Sequence, residues 1–199
     1  MSIRPRIGII IAARMSSNRL PGKALKPIQH IPMIQFLLRR VKGSQLVDDI
    51  ILATSNQMED DILEEIAAAE KINIFRGSLE NVTDRYVCAA KHFQIDTVIR
   101  ITGDCPFVNS EIIDFCINSI DGRDYDLCTT KGSFPVGLDV EIYHNKTMDS
   151  INQMEMSVEE KEHLTLYYYN HRKNHFNISI HVILIDIFLF LISLSFLIY

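Results

Sequence analysis

The sequence predicts an α/β fold with one mostly parallel, twisted sheet flanked by helices. Three observations carry that reading. Strand-length apolar runs alternate with helical patterns from residue 6 to residue 120. The first run, Arg6 to Ala13, is almost continuously apolar, the pattern of a strand covered on both faces. Polar, charged loops follow the strands, where open parallel sheets bind their ligands.

Each element has its own signal. Met15 to Gly22 is polar and ends in a Pro-Gly turn; Pro32 then opens a helix in which Met33, Phe36, Leu37, Arg40 and Val41 recur at helical spacing up to Gly43. Asp49 to Thr54 reads as a strand, Glu59 to Lys71 as a helix with Ile62, Leu63, Ile66 and Ala69 inward, and Ile72 to Phe75 as a short strand. Asn81 to Phe93 is helical and Thr97 to Ile101 is the next strand. Ser110 to Ile120 is a helix capped by Asn109, with Glu111 and Asp114 near its positive end. Such alternation means crossover units. Past residue 120, Tyr125 to Thr129 and Leu138 to Tyr143 are two short strands around a loop with Gly132, Pro135 and Gly137, either an active-site rim or a switch to mixed pairing. Glu159 to His175 is helical and rich in His and Tyr. With no internal repeat and no linker, residues 1–176 read as one domain, followed by an apolar tail, 177–199.

Composition excludes several classes. The 199 residues carry 20 Lys plus Arg against 25 Asp plus Glu, a net charge of −5. That argues against a broad basic surface for nucleic acid and leaves room for a local phosphate pocket. Four cysteines, Cys88, Cys105, Cys116 and Cys128, stand 17, 11 and 12 residues apart, without the close pairs of metal sites or redox switches. Reduced thiols in a cytoplasmic protein follow. Ile7 to Ala13 is too short for a signal peptide and is ended by Arg14.

Three segments carry the chemistry. Arg14, Arg19 and Lys23 fall within ten residues of the first loop, with Ser16, Ser17 and Asn18 between them and Gly22 beside Lys23. At the carboxyl end of a strand this set suits a polyphosphate, and the alternative is a solvated loop. It matches neither the dinucleotide fingerprint nor the phosphate loop ending in Gly-Lys-Ser/Thr. Thr102-Gly103-Asp104-Cys105-Pro106 directly follows an apolar strand, placing Asp104 in the ligand crevice or in a turn or cap. In Gly137-Leu138-Asp139-Val140-Glu141, strand periodicity puts Asp139 and Glu141 on one face, and such a pair needs cations or a metal. Asp104 with Asp139 makes a hard oxygen site for Mg²⁺ bridging substrate phosphates.

These residues also carry a resemblance. Ala13-Arg14-Met15-Ser16-Ser17-Asn18-Arg19-Leu20-Pro21-Gly22-Lys23, Phe75-Arg76-Gly77-Ser78, Asp84-Arg85-Tyr86, Arg100-Ile101-Thr102-Gly103-Asp104-Cys105-Pro106, Pro135 to Glu141 and Glu162-His163-Leu164-Thr165 occur in order over roughly residues 6–176. Together they resemble the cytidylyltransferase family, and within it the spore coat polysaccharide biosynthesis branch similar to acylneuraminate cytidylyltransferases. The resemblance implies a nucleotide-diphosphosugar transferase fold and transfer of CMP from CTP to a sugar or sugar acid, with release of pyrophosphate. It implies that Arg14 and Lys23 hold the triphosphate with Arg19 helping, that Ala13 belongs to the nucleotide-binding set, and that Asp104 and Asp139 bind magnesium. Arg76 and Gly77 would lie near the nucleotide, and Glu141, Glu162 and His163 near the acceptor. His163 is a candidate base or a structural histidine. A homodimer is also implied, since related enzymes often pair.

The sequence departs from the family pattern at three places. Ala12 stands where Gln is usual, Val136 where an acidic residue is common, and Leu166 where Pro commonly follows. The departures touch base or sugar contacts, so a related nucleotidyltransferase with another nucleotide or acceptor, or an inactive nucleotide-binding remnant, stay open as alternatives. The tail adds another question. Of the residues from Ile178 to Tyr199, 17 of 22 are apolar, with Asp186 the only formal charge. It reads as a membrane anchor, opposed by Asp186, as an altered end replacing the family's usual C-terminus, or as a core or interface element.

Overall fold

A computed structural model describes residues 4–17, 20–120, 125–171, 176 and 178–180. The first apolar run forms β1 (Ile7–Ala12), and the loop after it ends in a small ribbon of β2 (Pro27–Ile28) and β3 (Ile31–Pro32). Alternation then proceeds through α1 (Met33–Val41), β4 (Asp49–Ser55), α2 (Asp61–Ala69), β5 (Asn73–Gly77), α3 (Val82–His92), β6 (Thr97–Thr102) and α4 (Ser110–Ile120). The remaining elements are β7 (Leu127–Thr129), β8 (Glu141–His144), α5 (Asn145–Asn152), α6 (Val158–Glu162), α7 (Leu164–Asn170) and β9 (Ile178–Ile180).

The main sheet has the order β5-β4-β1-β6-β8-β7-β9. β1 pairs in parallel with both β4 and β6, β4 with β5, and β7 with β9, while β8 runs antiparallel to both of its neighbours. The mostly parallel sheet and flanking helices expected from the sequence are therefore present, and the loosened rhythm past residue 120 is a switch to mixed pairing around β8. Successive side chains on a strand point to opposite faces, and the core divides accordingly. Ile9, Ile11, Leu52, Ile99 and Ile101 pack with α1, α2 and α4, whereas Ile10, Ile51, Ala53 and Val98 pack with α3, α5 and α7. Burial on both faces explains why β1 lacks a polar alternation.

Three predicted elements change shape. The helix expected over Glu59 to Lys71 is a 3₁₀ turn, Met58–Asp60, leading into α2, and it stops where Lys71 adopts φ 55°. The helix expected over Glu159 to His175 breaks at His163, whose ψ of 79° is not helical. Ser157 and Glu160 form a reciprocal capping box for the first piece. The strand expected from Leu138 pairs only from Glu141, because Leu138 N–H turns back onto the Pro135 carbonyl at 3.1 Å. Asp139 accordingly lies off the regular ladder, and strand periodicity does not set its direction.

The described residues just past 176 belong to the sheet. Residues 178–180 are β9, in register with Leu127, Cys128 and Thr129 of β7. The rest of the apolar tail, with the anchor and altered-end readings that depend on it, lies outside the described residues. Among the described residues, no helix is long and apolar enough to cross a membrane.

One buried carboxylate ties the first two helices together. Glu70, at the end of α2, accepts from Gln35 at 2.7 Å, Arg39 at 2.8 Å and Lys42 at 2.8 Å, all from α1 or its end. Burial pushes its carboxyl up, but the bonds from Lys42, Gln35 and Arg39 prevail and hold it at about 2 against an ordinary 4.5. A depressed folded-state pKa stabilises the fold above the unfolded value, and that contribution is lost as pH falls through the folded one. Urea unfolding should therefore show stability falling between pH 4.5 and about 2. Glu70→Gln should be less stable at neutral pH with a smaller acid slope; an unchanged slope would remove Glu70 from this role.

Candidate active site

The site lies at the carboxyl ends of β1 and β6, as expected for a parallel sheet. The first loop is held from below by Asp60, which is fully buried and accepts from the Met15 N–H at 2.7 Å, the Ser55 N–H at 3.1 Å and the Ser55 hydroxyl. Gly22, with φ 67°, closes the loop by donating to the Met15 carbonyl at 3.1 Å. Across from it, Gly103 donates to the Ala12 carbonyl at 2.8 Å, and a Cβ there would stand 2.9 Å from that of Ala13. The lack of a side chain at Gly103 thus lets the two strand ends meet.

Two cavities open at this junction. The smaller, about 280 Å³, is lined by Ala13, Arg14, Ser17, Lys23, Arg85 and Glu162 among others. The larger, about 440 Å³, includes Lys131, Asp139, Glu141, Thr165 and Tyr169. Arg100, Thr102, Asp104 and His163 line both. Arg14 pairs with Glu162 at 3.1 Å and Lys23 with Asp104 at 2.9 Å, so each cation is met by a carboxylate from another segment.

Most of the sequence-derived site residues therefore gather here. Ala13, Arg14, Lys23, Glu162 and His163 border the smaller cavity, Asp104 stands at the junction, and Asp139 faces the larger one. The helix break at His163 brings Glu162 and His163 over the site. Arg19 lies outside the described residues. Arg76 does not reach either cavity lining; its guanidinium is bound to Asp61 at 2.6 Å, Glu64 at 3.1 Å and the carbonyls of Ser55 and Gln57. Gly77 leaves space for two neighbours, since a Cβ there would stand 3.0 Å from the Phe75 ring and 3.2 Å from Arg85 Cγ.

Glu141, expected near the acceptor, lines the larger cavity with its carboxylate already engaged by neighbours. Its carboxylate pairs with Arg100 and accepts from Thr165 Oγ1 at 2.7 Å and Tyr143 OH at 2.9 Å. Burial alone would lower the Arg100 pKa and raise that of Glu141, but their mutual attraction, with the bonds from Thr165 and Tyr143, leaves the guanidinium raised and the carboxyl lowered. The carboxylate wedges the cavity wall in place rather than offering free acceptor oxygens. Arg100, Thr165, Arg85 and Asp60 received no role from sequence reasoning. The available signal was a lone arginine inside the apolar run Val98 to Ile101.

The metal implied by the resemblance can be tested against the donors present. Among the described residues, no group of three or more His, Cys, Asp or Glu gathers into a metal cage. Mg²⁺ asks for less, since one or two carboxylates with waters and substrate phosphates suffice. Asp104 and Asp139 supply such a pair on the larger cavity. Burial pushes both carboxyls up; bonds from Thr102 and Lys23 bring Asp104 below its ordinary value, whereas Asp139 stays raised despite the nearby Lys131. A half-buried carboxylate held above its ordinary value, on the same cavity wall as Asp104, fits a hard divalent cation.

A family model described as cytidylyltransferase matches residues 8–192. The chain belongs to the cytidylyltransferase family. The match continues past Phe176, where the motif resemblance stops, into the apolar tail. Among relatives of this cytidylyltransferase, the Bacillus subtilis spore coat polysaccharide biosynthesis protein SpsF is 36% identical over 169 residues, covering 81% of this chain and 69% of that protein. A 3-deoxy-manno-octulosonate cytidylyltransferase from Chloroherpeton thalassium is 35% identical over 109 residues, covering 55% of this chain and 44% of the relative. The structure of a cytidylyltransferase from Leptospira borgpetersenii superposes with a TM-score of 0.84 at 31% identity, over 89% of this chain and 76% of that one.

The buried pair makes a stability prediction. Glu141→Ala leaves Arg100 buried and uncompensated, and should lower the unfolding free energy by about 3–5 kcal/mol. Replacing both partners, Arg100→Met with Glu141→Leu, should recover most of that loss in urea titrations. A double variant no more stable than Glu141→Ala would show that the charges do more than satisfy each other.

Proposed function

We propose that this chain transfers CMP from CTP to a sugar or sugar acid, releasing pyrophosphate, as a cytoplasmic step in surface polysaccharide synthesis. The observation that carries the proposal is the meeting of Arg14 and Lys23 with Asp104 at the junction of two cavities. The smaller cavity suits the nucleotide and the larger the acceptor. Family membership supports the cytidylyl group, and the named activities of the relatives support a sugar-acid acceptor and a polysaccharide product. Pairing of two copies, implied by the resemblance, belongs to the same proposal.

In this reading the triphosphate displaces Glu162 and Asp104 from the cations. Arg14 and Lys23 then hold the β and γ phosphates through charge-assisted bonds and balance the charge that grows on departing pyrophosphate. The acceptor lies beside Thr165 and Tyr169, so that a hydroxyl attacks the α-phosphorus in line. Magnesium, when held by Asp104 and Asp139, would neutralise phosphate charge. His163, on the wall of both cavities, is placed to accept the hydroxyl proton. No covalent enzyme intermediate is needed.

Pyrophosphate release should be measured with each of four nucleoside triphosphates against a panel of sugars and sugar acids, with and without magnesium. CTP should be preferred and magnesium required. Asp104→Asn and Asp139→Asn should each lower kcat/KM by at least about a hundredfold, the scale of lost transition-state charge stabilisation. Lys23→Met should lower kcat as well as raise the KM for CTP, because Lys23 meets charge that grows in the transition state. Full turnover by both aspartate variants would refute the assigned site.

A further inference from the structure

Among the described residues, Arg85 is a guanidinium that no carboxylate bonds. It sits in the first turns of α3, is 2% exposed, and has no ion-pair partner among the described residues. Nη1 donates to the Ser78 carbonyl at 2.8 Å, whereas Nε is buried with no hydrogen-bond partner. Asp60 acts on it through space, but that carboxylate is already occupied by Met15 and Ser55. A buried charge is costly unless it is paired.

A second guanidinium stands beside it. Arg14 Nη1 donates at 3.2 Å to the carbonyl of Leu79, the residue after Ser78. Two arginines from different elements are thus pinned on consecutive carbonyls of the loop between β5 and α3, and both line the smaller cavity. Burial, together with the like charge of Arg14, holds the Arg85 guanidinium below its ordinary value. An anion bound between the two would relieve the desolvation and the repulsion together. Gly77 contributes by its missing side chain, because a Cβ would stand 3.0 Å from the Phe75 ring and 3.2 Å from Arg85 Cγ, crowding the arginine from its own side. Arg76, by contrast, already has Asp61 and Glu64.

We propose that Arg85 is a phosphate-binding residue which, with Arg14, clamps one phosphate of the nucleotide in the smaller cavity. The proposal rests on the nucleotide reading of that cavity and adds a third cation, from α3, to the two of the first loop. It also gives Gly77 a part in nucleotide binding that operates through Arg85.

Calorimetric titration of the whole chain with inorganic tripolyphosphate, CTP and cytidine tests this. The native chain should bind tripolyphosphate, and Arg85→Gln should weaken both tripolyphosphate and CTP by at least about tenfold while leaving cytidine unchanged. Arg85→Lys should fall between. Loss of cytidine affinity with tripolyphosphate unaffected would assign Arg85 to the base and overturn the proposal, as would a native chain that does not bind tripolyphosphate. Because Arg85 is buried, two further measurements stand if its variants fail to fold. Gly77→Ala keeps every charge and should still weaken tripolyphosphate. A crystal of the native chain with tripolyphosphate should show one phosphate within hydrogen-bond distance of both guanidiniums; a phosphate held by Arg14 and Lys23 alone would overturn the clamp. Arg85-dependent tripolyphosphate binding without CTP turnover on any acceptor would sink the transferase reading and leave the clamp standing. Turnover with Arg85-independent phosphate binding would do the reverse.

Discussion

The antiparallel pairing of Arg100 with Glu141 is the constraint on which the site depends. The two residues are direct cross-strand partners at the end of the β6–β8 ladder, so the pair joins the parallel half of the sheet to its mixed half. Thr165 brings α7 to the same carboxylate, and the Arg100 guanidinium lies 5.4 Å from the centre of the Tyr86 ring on α3. Tyr86 in turn donates to the Ile101 carbonyl at 3.1 Å. Elements from both sides of the sheet junction therefore converge on one charge pair. A buried ion pair is a poor source of net stability, but its geometry is demanding, because either partner left alone is strongly unfavourable. That demand fixes the wall shared by the two cavities.

The exposed pairs at the mouth behave differently. Arg14 and Glu162 have side chains 28% and 48% exposed, and Lys23 and Asp104 38% and 45%. Pairs of this class contribute at most about 1 kcal/mol. They hold the loop and the α6–α7 corner in register without competing seriously with a polyanion, whose bonds to arginine and lysine are charge-assisted on several oxygens at once. The same chain thus uses a buried pair for rigidity and solvent-screened pairs where a ligand must enter. Asp104 belongs to both systems, since it meets Lys23 at the mouth and shares the larger cavity with Asp139.

Legibility in the sequence followed the physical range of the interaction concerned. β1 and β6, buried on both faces, appear as apolar runs, and α4 matches its expected span because its periodicity and Asn109 cap are local. Site residues on loops next to strand ends were legible for the same reason, since a parallel sheet sends its strand ends to one crevice. Local sequence says least where a distant partner decides. Glu141 reads as a cavity carboxylate until Arg100, 41 residues away, is placed against it. Arg76 reads as a free cation until α2 supplies Asp61 and Glu64. The break at His163 had a local signal in Ser157 and Glu160, whose capping box gives α6 its own start, whereas the long aromatic pattern suggested one continuous helix.

The apolar end shows how composition can mislead about boundaries. Its lack of helical or alternating pattern suggested a segment unselected for packing, yet its first residues supply the strand beyond β7. β7 itself is only three residues long and fully buried, and a short strand at a sheet edge would expose backbone groups that must find partners. β9 provides them on one side while β8 does so on the other. Through β8 the chain of pairing reaches Arg100 and the cavity wall. The beginning of the apolar run therefore bears on the active site through two strands, without touching a substrate.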